Sequence, residues 1–145
     1  MNAPERIEVT QDFEMTPLRD KSVLVTGGGS GLGAAICETL ARSGAQVFVG
    51  EMNGDKAEQS ARKLRDQGLS ADAVVMDVGN ESDVNGAVRR LVDRFGRIDA
   101  VINNAAHLRY EPIEQVTEAT VDLMLGAGLK SAIWGSQALV RHMDP

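Results

Sequence analysis

The sequence predicts a doubly wound α/β fold, in which helices cover both faces of a parallel β-sheet. Short apolar runs rich in β-branched residues alternate along the chain with segments that have the 3.6-residue period of a helix. The runs lack the alternation of a strand with one solvated face, so both faces of the sheet must be covered. Right-handed crossovers between such strands give about four strands in the order 3-2-1-4.

Strands and helices are expected in alternation from residue 21 onward. Gly44, Gly68 and Gly96 follow three helical segments, where a left-handed residue commonly ends a helix. Asn80 is a candidate N-cap for the third helix. We expect residues 1–20 to form a poorly ordered lead-in and residues 21–145 to form one domain. The expected strands are residues 23–26, 46–50, 73–76 and 98–102, and the expected helices are residues 31–43, 55–67, 81–95 and 117–142.

Composition and charge restrict the classes of function that this chain supports. The net charge of −6 over 145 residues argues against nucleic acid or an anionic membrane surface as a partner. No apolar run approaches the roughly 20 residues of a membrane span, and no metal site is predicted. The single cysteine, Cys37, excludes an internal disulfide and is interpreted as a small buried hydrophobe. Such cysteine usage suits a reducing compartment, so we expect a cytoplasmic protein.

The glycine-rich turn TGGGSGLG, residues 26–33, is the most informative stretch of the sequence. Glycines here permit a tight turn after the first strand, close approach of the main chain to a phosphate, and close packing of the next helix on the sheet. The free N–H groups and the dipole at the start of that helix favour an anion. A structural βα turn without a ligand is the alternative, but the strand before, the helix after and an acid about 20 residues later favour a dinucleotide pyrophosphate. The predicted contacts are Gly27, Ser30, Gly31, Leu32 and Gly33.

Glu51 ends the second strand, where the ribose of an adenosine would lie. Its carboxylate can accept hydrogen bonds from both ribose hydroxyls and would repel a 2′-phosphate by about 4 kcal/mol at about 4 Å and an effective dielectric constant of about 20. Ser30 and Met52 nearby are neutral, whereas a protein that uses NADP would place arginine or lysine there. The sequence therefore predicts NAD as the cofactor, and a solvated glutamate at a strand end is the alternative interpretation.

Two motifs together resemble those of the short-chain dehydrogenase/reductase family. The first is the TGxxxGxG spacing that begins at Thr26, and the second is Asn103-Asn104-Ala105 after the fourth strand. The resemblance extends from about Lys21 to the end of the chain. It implies a Rossmann-type fold and the dinucleotide-binding half of an oxidoreductase.

The resemblance also implies roles for residues after the third and fourth strands. It places the side chain of Asp77 and the backbone amide of Val78 against adenine; from the residues alone, Asp77 is as readily a helix or turn cap. It places Asn103, Asn104 and Ala105 beneath the central sheet and along the nicotinamide ribose. Ala106 stands where the family usually has glycine.

The family's catalytic groups are absent from these 145 residues. The family uses a tyrosine as general acid and base, a lysine four positions later that lowers the tyrosine pKa, and a serine from a strand. The one tyrosine, Tyr110, is followed four positions later by Glu114, whose carboxylate would raise the tyrosine pKa. Ser131 and Ser136 fall on the long helix instead of a strand end. No catalytic residue is therefore predicted.

Other departures concern the long helix and the loop before it. Gly128 stands where the family carries an asparagine of its proton relay. His107, Arg109 and Tyr110 occupy a region that often borders the substrate in the family, although an exposed loop is the favoured interpretation. Residues 117–142 would also form a homo-oligomer contact in a complete family member.

Two functions remain open from the sequence. The first is an NAD-dependent oxidoreductase that acts on a small alcohol or ketone, present here as a fragment that binds cofactor but does not catalyse alone. The second is a non-catalytic nucleotide-binding or interaction module, because doubly wound sheets support many activities. A downstream serine strand and a Tyr-x-x-x-Lys motif would distinguish them.

Overall fold

The computed structural model describes residues 18–143. The expected lead-in falls largely on residues 1–17, which lie outside the described residues. The strands are β1 (Ser22–Thr26), β2 (Gln46–Glu51), β3 (Ala71–Val75) and β4 (Ala100–Ile102). The helices are α1 (Gly31–Arg42), α2 (Gly54–Arg65), α3 (Glu81–Phe95), α4 (Glu118–Leu125) and α5 (Ser131–His142), with a 3₁₀ turn at Ile113–Gln115 and a π-helical turn at Gly126–Lys130.

The four strands form one parallel sheet in the order β3-β2-β1-β4, which confirms the predicted order. Helices cover both faces of the sheet, as the apolar strands indicate. Val23 and Val25 of β1 pack with α1 and α2, whereas Leu24 packs with α3 and α5. In β2, Val49 packs on the side of α1 and α2, and Phe48 packs on the side of α3 and α5. The sheet is therefore buried between two helical layers, and its carboxyl-terminal edge is left to carry the loops.

β1 and β2 each differ by one residue from the sequence prediction, and β3 and β4 each differ by two residues at their start. β3 begins at Ala71 and ends at Val75, two residues earlier than expected at its start, and β4 is limited to Ala100–Ile102. Met76 and Ile98 are nevertheless buried, at 2% exposure each. Apolar runs predict burial, and both residues belong to the core even though they lie outside the assigned strands. Met76 still donates a backbone hydrogen bond to the Glu51 carbonyl oxygen at 3.1 Å, just past the end of β3.

The predicted single helix over residues 117–142 is interrupted by the π-helical turn Gly126–Lys130. Gly126 and Gly128 lie within it, and glycine's weak preference for the α-helix lowers the cost of a wider turn. The inward face of α5 consists of the small residues Ser131, Gly135 and Ala138. The large apolar side chains of this segment face outward instead: Val121, Leu125, Leu129, Ile133 and Val140 are all more than 40% exposed.

The described residues form neither a membrane-spanning helix nor a cluster of metal ligands. None of the helices within residues 18–143 combines the length and apolar character that a bilayer crossing requires. Over the same range, no three histidine, cysteine, aspartate or glutamate side chains come together as they would around a metal ion.

Candidate functional site

A cleft of about 870 Å³ opens at the carboxyl-terminal edge of the sheet. The glycine-rich turn and the start of α1 form its floor, the ends of β2 and β3 form one side, and α4 with the π-helical turn forms the other. Parallel strands direct all of their following loops to this edge, so residues far apart in sequence meet there.

The geometry of the glycine-rich turn depends on Gly27 and Gly33. Gly27 has a φ of +65°, a left-handed conformation that favours glycine. A Cβ placed on Gly33 would lie 2.0 Å from the Gly27 carbonyl oxygen and 2.7 Å from Asn104 Nδ2. No side chain fits at Gly33, so α1 approaches the end of β1 more closely than another residue would allow.

The start of α1 is uncapped where it faces the cleft. Ser30 is its N-cap residue, is exposed, and makes no capping hydrogen bond, and the first turn carries no acidic residue. By contrast, α2, α3 and α4 are capped by the side chains of Asn53, Asn80 and Thr117, and each has an acid in its first turn. The free N–H groups and the positive dipole end of α1 are therefore left available to an anion in the cleft.

Asn104 connects the ends of β1 and β4 beneath the turn. Its Nδ2 donates to the carbonyl oxygens of Thr26 at 3.0 Å and Gly27 at 3.3 Å. The Thr26 hydroxyl donates to the Ile102 carbonyl oxygen and accepts from the backbone N–H groups of Asn104 and Ala105, both at 3.1 Å. The side chains that the sequence singled out as a motif thus fix the two strand ends relative to each other.

The carboxylate of Glu51 is fixed at the end of β2. Its Oε1 accepts hydrogen bonds from the backbone N–H groups of Met52 at 3.0 Å and Asn53 at 3.2 Å. Its Oε2 lies against the turn, because a Cβ on Gly29 would come within 2.9 Å of it. One oxygen is therefore hydrogen-bonded to the backbone, and the other has no hydrogen-bond partner among residues 18–143.

Asp77 and Val78 lie in the loop after β3 and line the cleft. Asp77 Oδ1 accepts a hydrogen bond from the Gly79 N–H at 2.8 Å, and the Asp77 N–H donates to Asp83 Oδ2 at 3.0 Å. Asp77 thus acts as a local turn cap, which was the alternative left open by its residue type, and it also faces the cleft. Val78 packs against the core between the sheet and α3.

The structure brings most of the predicted contact residues to one cleft. The lining includes Gly27, Ser30, Leu32, Gly33, Glu51, Asp77, Val78, Asn104 and Ala105. Gly31 and Asn103 do not line it. Asn103 lies instead against α5, since a Cβ on Gly135 would come within 2.9 Å of Asn103 Oδ1. Adjacent side chains after a strand point to opposite sides, so only one of the two asparagines can face the turn. That residue is Asn104.

The loop after β4 is divided between the cleft and solvent. His107 lines the cleft. Tyr110 is 93% exposed, and the side chain of Arg109 pairs with Glu111 Oε2 at 2.9 Å. The expectation of an exposed loop therefore holds for Tyr110, and of His107, Arg109 and Tyr110 only His107 lines the cleft.

The residues of α4 and the π-helical turn that form one side of the cleft were not predicted from the sequence. Asp122, Gly126 and Lys130 follow one another at intervals of four residues and face the cleft with Leu123 and Ala127. This period was a detectable signal of one helix face. It was obscured because the same segment carries a second, larger apolar stripe.

Cys37 is buried beneath the turn and is not a reactive group. It is 0% exposed, and a Cβ on Gly28 would lie 3.0 Å from its sulfur. Burial raises the pKa of the Cys37 thiol to about 12. The thiol stays protonated at neutral pH, which confirms its interpretation as a small core residue.

Comparison with known proteins defines the family. The family model for short chain dehydrogenases matches residues 21–145. The chain therefore belongs to the short-chain dehydrogenase/reductase family, and its Rossmann-type sheet agrees with the solved members it resembles.

Curated relatives match nearly the whole of this chain but only part of their own. Cyclopentanol dehydrogenase of Comamonas testosteroni is 35% identical over 129 residues, which cover 89% of this chain and 52% of the relative. Sorbitol dehydrogenase of Cereibacter sphaeroides is 32% identical over 126 residues, covering 87% of this chain and 48% of the relative. The chain thus spans about half the length of the curated relatives it matches.

Solved structures show the same relation. A mutant short-chain dehydrogenase/reductase of Serratia marcescens superposes with a TM-score of 0.83 at 34% identity, covering 88% of this chain and 53% of the other. A short chain dehydrogenase of Burkholderia cenocepacia, solved in complex with NADP, gives a TM-score of 0.83 at 33% identity, covering 88% and 52%.

Proposed function

We propose that this chain binds NAD in the cleft and forms the cofactor-binding half of an oxidoreductase that acts on a small alcohol or ketone. The observation that carries the proposal is the uncapped start of α1 at the floor of the cleft. The other α-helices that begin after a loop in residues 18–143, namely α2, α3 and α4, are each capped by the side chain of their N-cap residue. A helix start left free beside a turn without room for a side chain fits a pyrophosphate.

The residues present fit the rest of a dinucleotide. The free N–H groups of Gly31, Leu32 and Gly33 would hold the pyrophosphate, with the Ser30 hydroxyl as a further donor. Glu51 Oε2 would accept from the adenosine ribose, and Ala105 would lie along the nicotinamide ribose. When bound, the nicotinamide supplies the hydride acceptor or donor of the reaction. The role of this chain is to bind and orient it.

The preference for NAD over NADP rests on Glu51. A carboxylate fixed by two backbone N–H groups cannot withdraw easily from a 2′-phosphate, and repulsion between them would weaken NADP binding. Two of the similar solved structures hold NADP, so the family as a whole does not decide the question. Lys56 is a basic residue beside the turn, with its Cβ 3.0 Å from a Cβ placed on Gly29.

The assignment to alcohol or ketone chemistry comes from the relatives. The similar cyclopentanol and sorbitol dehydrogenases are named for alcohols. These 145 residues contain no Tyr-x-x-x-Lys motif, so the isolated chain is expected to bind cofactor without turning over secondary alcohols. A cytoplasmic location is proposed with it, supported by the single buried thiol.

Substituting Ser30 with aspartate tests the site directly. The variant Ser30→Asp gives α1 the cap and the charge that it lacks, so the melting temperature should hold or rise. The same carboxylate occupies the place of the pyrophosphate, so NAD affinity measured by calorimetry should fall by about tenfold or more. Ser30→Ala is the control, since it removes the hydroxyl without adding charge. Equal NAD affinity of Ser30→Asp and the unmodified chain would contradict the proposal.

Neither function left open by the sequence predicts turnover by the isolated chain, so nucleotide binding is the measurement that separates them. With NAD and secondary alcohols, the isolated chain should show no activity above background. Turnover that persists in Tyr110→Phe would mean that another residue of this chain performs the acid–base step. A chain that binds adenosine nucleotides but no nicotinamide dinucleotide would favour the non-catalytic module.

A further inference from the structure

Ser60 of α2 makes a hydrogen bond that serines inside helices seldom make. Hydroxyl groups in helices commonly donate to the carbonyl four residues earlier, as Thr39 does to Ala35 and Ser43 to Thr39. The Ser60 hydroxyl instead donates to the Gly28 carbonyl oxygen at 2.9 Å, 32 positions away in the sequence. It leaves its own helix to reach the glycine-rich turn.

The acceptor of this bond is a buried backbone group. Gly28 is buried, and a Cβ there would lie 3.0 Å from Cys37 Sγ and 3.0 Å from Val49 Cγ1. The Gly28 N–H donates to the Gly50 carbonyl oxygen at 3.0 Å. The peptide groups of Gly28 are thus held by β2 on one side and by Ser60 on the other. A buried carbonyl that loses its partner costs free energy unless the backbone moves to find another.

Gly29, the next residue of the turn, lies against the end of β2 and the start of α2. A Cβ on Gly29 would lie 2.7 Å from Glu51 Cγ and 3.0 Å from Lys56 Cβ. On the opposite side, Asn104 fixes Gly27 from β4. The cleft-facing start of α1 therefore lies between two attachments, one to β4 and one to α2.

We propose that Ser60 is a positioning residue for cofactor binding. It does not line the cleft. By holding Gly28 it fixes the turn against Glu51, so that the N–H groups at the start of α1 and the Glu51 carboxylate keep the separation that one pyrophosphate-linked ligand requires. This inference rests on the proposed function, because it assigns Ser60 to the same site.

The test compares Ser60→Ala with Ser43→Ala in the full 145-residue chain, with ADP-ribose and adenosine as probes. Each variant removes a hydroxyl that donates to a backbone carbonyl, but Ser43 lies at the far end of α1. Ser60→Ala should weaken ADP-ribose binding by about fivefold, and adenosine binding by less, because adenosine lacks the pyrophosphate. Ser43→Ala should leave both affinities unchanged. Ser60→Thr keeps the hydroxyl and should restore binding.

Amide hydrogen exchange in the ligand-free chain gives a second measurement. Exchange of the Gly28 N–H, which donates to the Gly50 carbonyl oxygen, should accelerate in Ser60→Ala and not in Ser43→Ala. Unchanged exchange together with unchanged ADP-ribose affinity would overturn the inference, and so would faster exchange with unchanged affinity. An unmodified chain that does not bind ADP-ribose would overturn the proposed function, and the inference with it.

Discussion

At the scale of single residues, Glu51 is expected to decide which cofactor binds. Glu51→Ala removes the charge that repels a 2′-phosphate, so the ratio of NAD to NADP affinity should narrow by about tenfold, which corresponds to about 1.4 kcal/mol. Glu51→Arg should favour NADP. Titration calorimetry with both cofactors measures the ratio. Asp93→Ala makes the same change of charge outside the cleft lining and should leave the ratio unchanged. Tighter binding of NADP by the unmodified chain would contradict the assignment.

Gly33 should tolerate no side chain. A Cβ would lie 2.0 Å from the Gly27 carbonyl oxygen, so in Gly33→Ala either α1 or the turn must move. We expect a loss of unfolding free energy of about 1–3 kcal/mol, together with loss of NAD binding. Chemical denaturation measures the first effect and calorimetry the second. Gly86→Ala is the matched control: it lies in helix α3 with nothing within 4 Å of the new Cβ, so it should be neutral or stabilising. A fully stable Gly33→Ala variant with normal NAD affinity would show that the turn has another available conformation.

Single residues also show what could be predicted from the sequence. The roles of Gly27 and Gly33 follow from local backbone requirements, and the structure places both as expected. Asn103 was predicted at the cofactor but faces Gly135, because two adjacent side chains after a strand point to opposite sides. Ser60 gave no signal, since its partner is 32 positions away and its residue type is ordinary for an exposed helix face.

At the scale of elements, Asp99 connects β1 to the segment that leads into β4. Its carboxylate accepts from the Ser22 N–H at 2.9 Å and from Lys21 Nζ at 3.1 Å, and it also pairs with Arg97. Burial by itself would raise the pKa of Asp99, but these hydrogen bonds outweigh it and hold the pKa below its ordinary value of 3.8. The ionised form is therefore the one that stabilises the fold.

The consequence is a stability that depends on pH in a defined direction. Because the folded-state pKa is depressed, the contribution is present above pH 3.8 and is lost as the pH falls through the folded-state value. Asp99→Asn should lower the free energy of unfolding by about 1–2 kcal/mol at pH 7, and the difference should shrink in acid. Asp66→Asn, which breaks only an exposed pair with Arg62 at 3.9 Å, should change little. Denaturation at several pH values measures both variants, and a constant difference down to pH 2 would contradict the assignment.

Elements differed in how well the sequence specified them. Helix α3, between Asn80 and Gly96, has the predicted bounds, whereas α1 ends one residue and α2 ends two residues before the predicted end. The interruption at Gly126–Lys130 was not predicted, because hydrophobic periodicity over residues 117–142 fits one helix equally well. The low helix propensity of glycine marks Gly126 and Gly128 as weak points of an α-helix. It does not indicate which helical form replaces the α-helix there.

At the scale of the whole molecule, strand order was the most predictable property. Right-handed crossovers and short connections permit few arrangements of four parallel strands, and the glycine-rich turn identifies which strand is central. The cleft then follows from the topology, because all four strands end at the same edge. Its shape on the α4 side depends on packing between distant segments, which the sequence does not display.

The exposed apolar surface of the whole chain predicts self-association. Leu125, Leu129 and Ile133, spaced four residues apart from α4 through the π-helical turn to α5, are exposed at 45%, 58% and 42%, and within residues 18–143 β4 pairs only with β1. Exposed apolar patches of several hundred Å² and unpaired strand edges both promote association. We therefore expect the isolated chain to associate in light scattering, and Leu129→Glu to reduce that association. Ile113→Glu replaces an apolar residue outside the stripe that is still more exposed, at 79%, and should not reduce association.

We expect NAD to stabilise the isolated chain against thermal unfolding. A ligand that binds only the folded state raises the melting temperature with its concentration, and at a hundredfold excess over its Kd contributes about 2.7 kcal/mol. At the same NAD concentration, the shift should persist in Leu129→Glu, whose substitution lies outside the cleft lining, and should be clearly smaller in Ser30→Asp. Thermal melts of the three proteins with and without NAD measure it. A monodisperse monomer would contradict the predicted association, because it would show that the exposed stripe does not cause self-association. A melting temperature that does not change with NAD would contradict the cofactor site, because it would show that the uncapped start of α1 does not bind NAD.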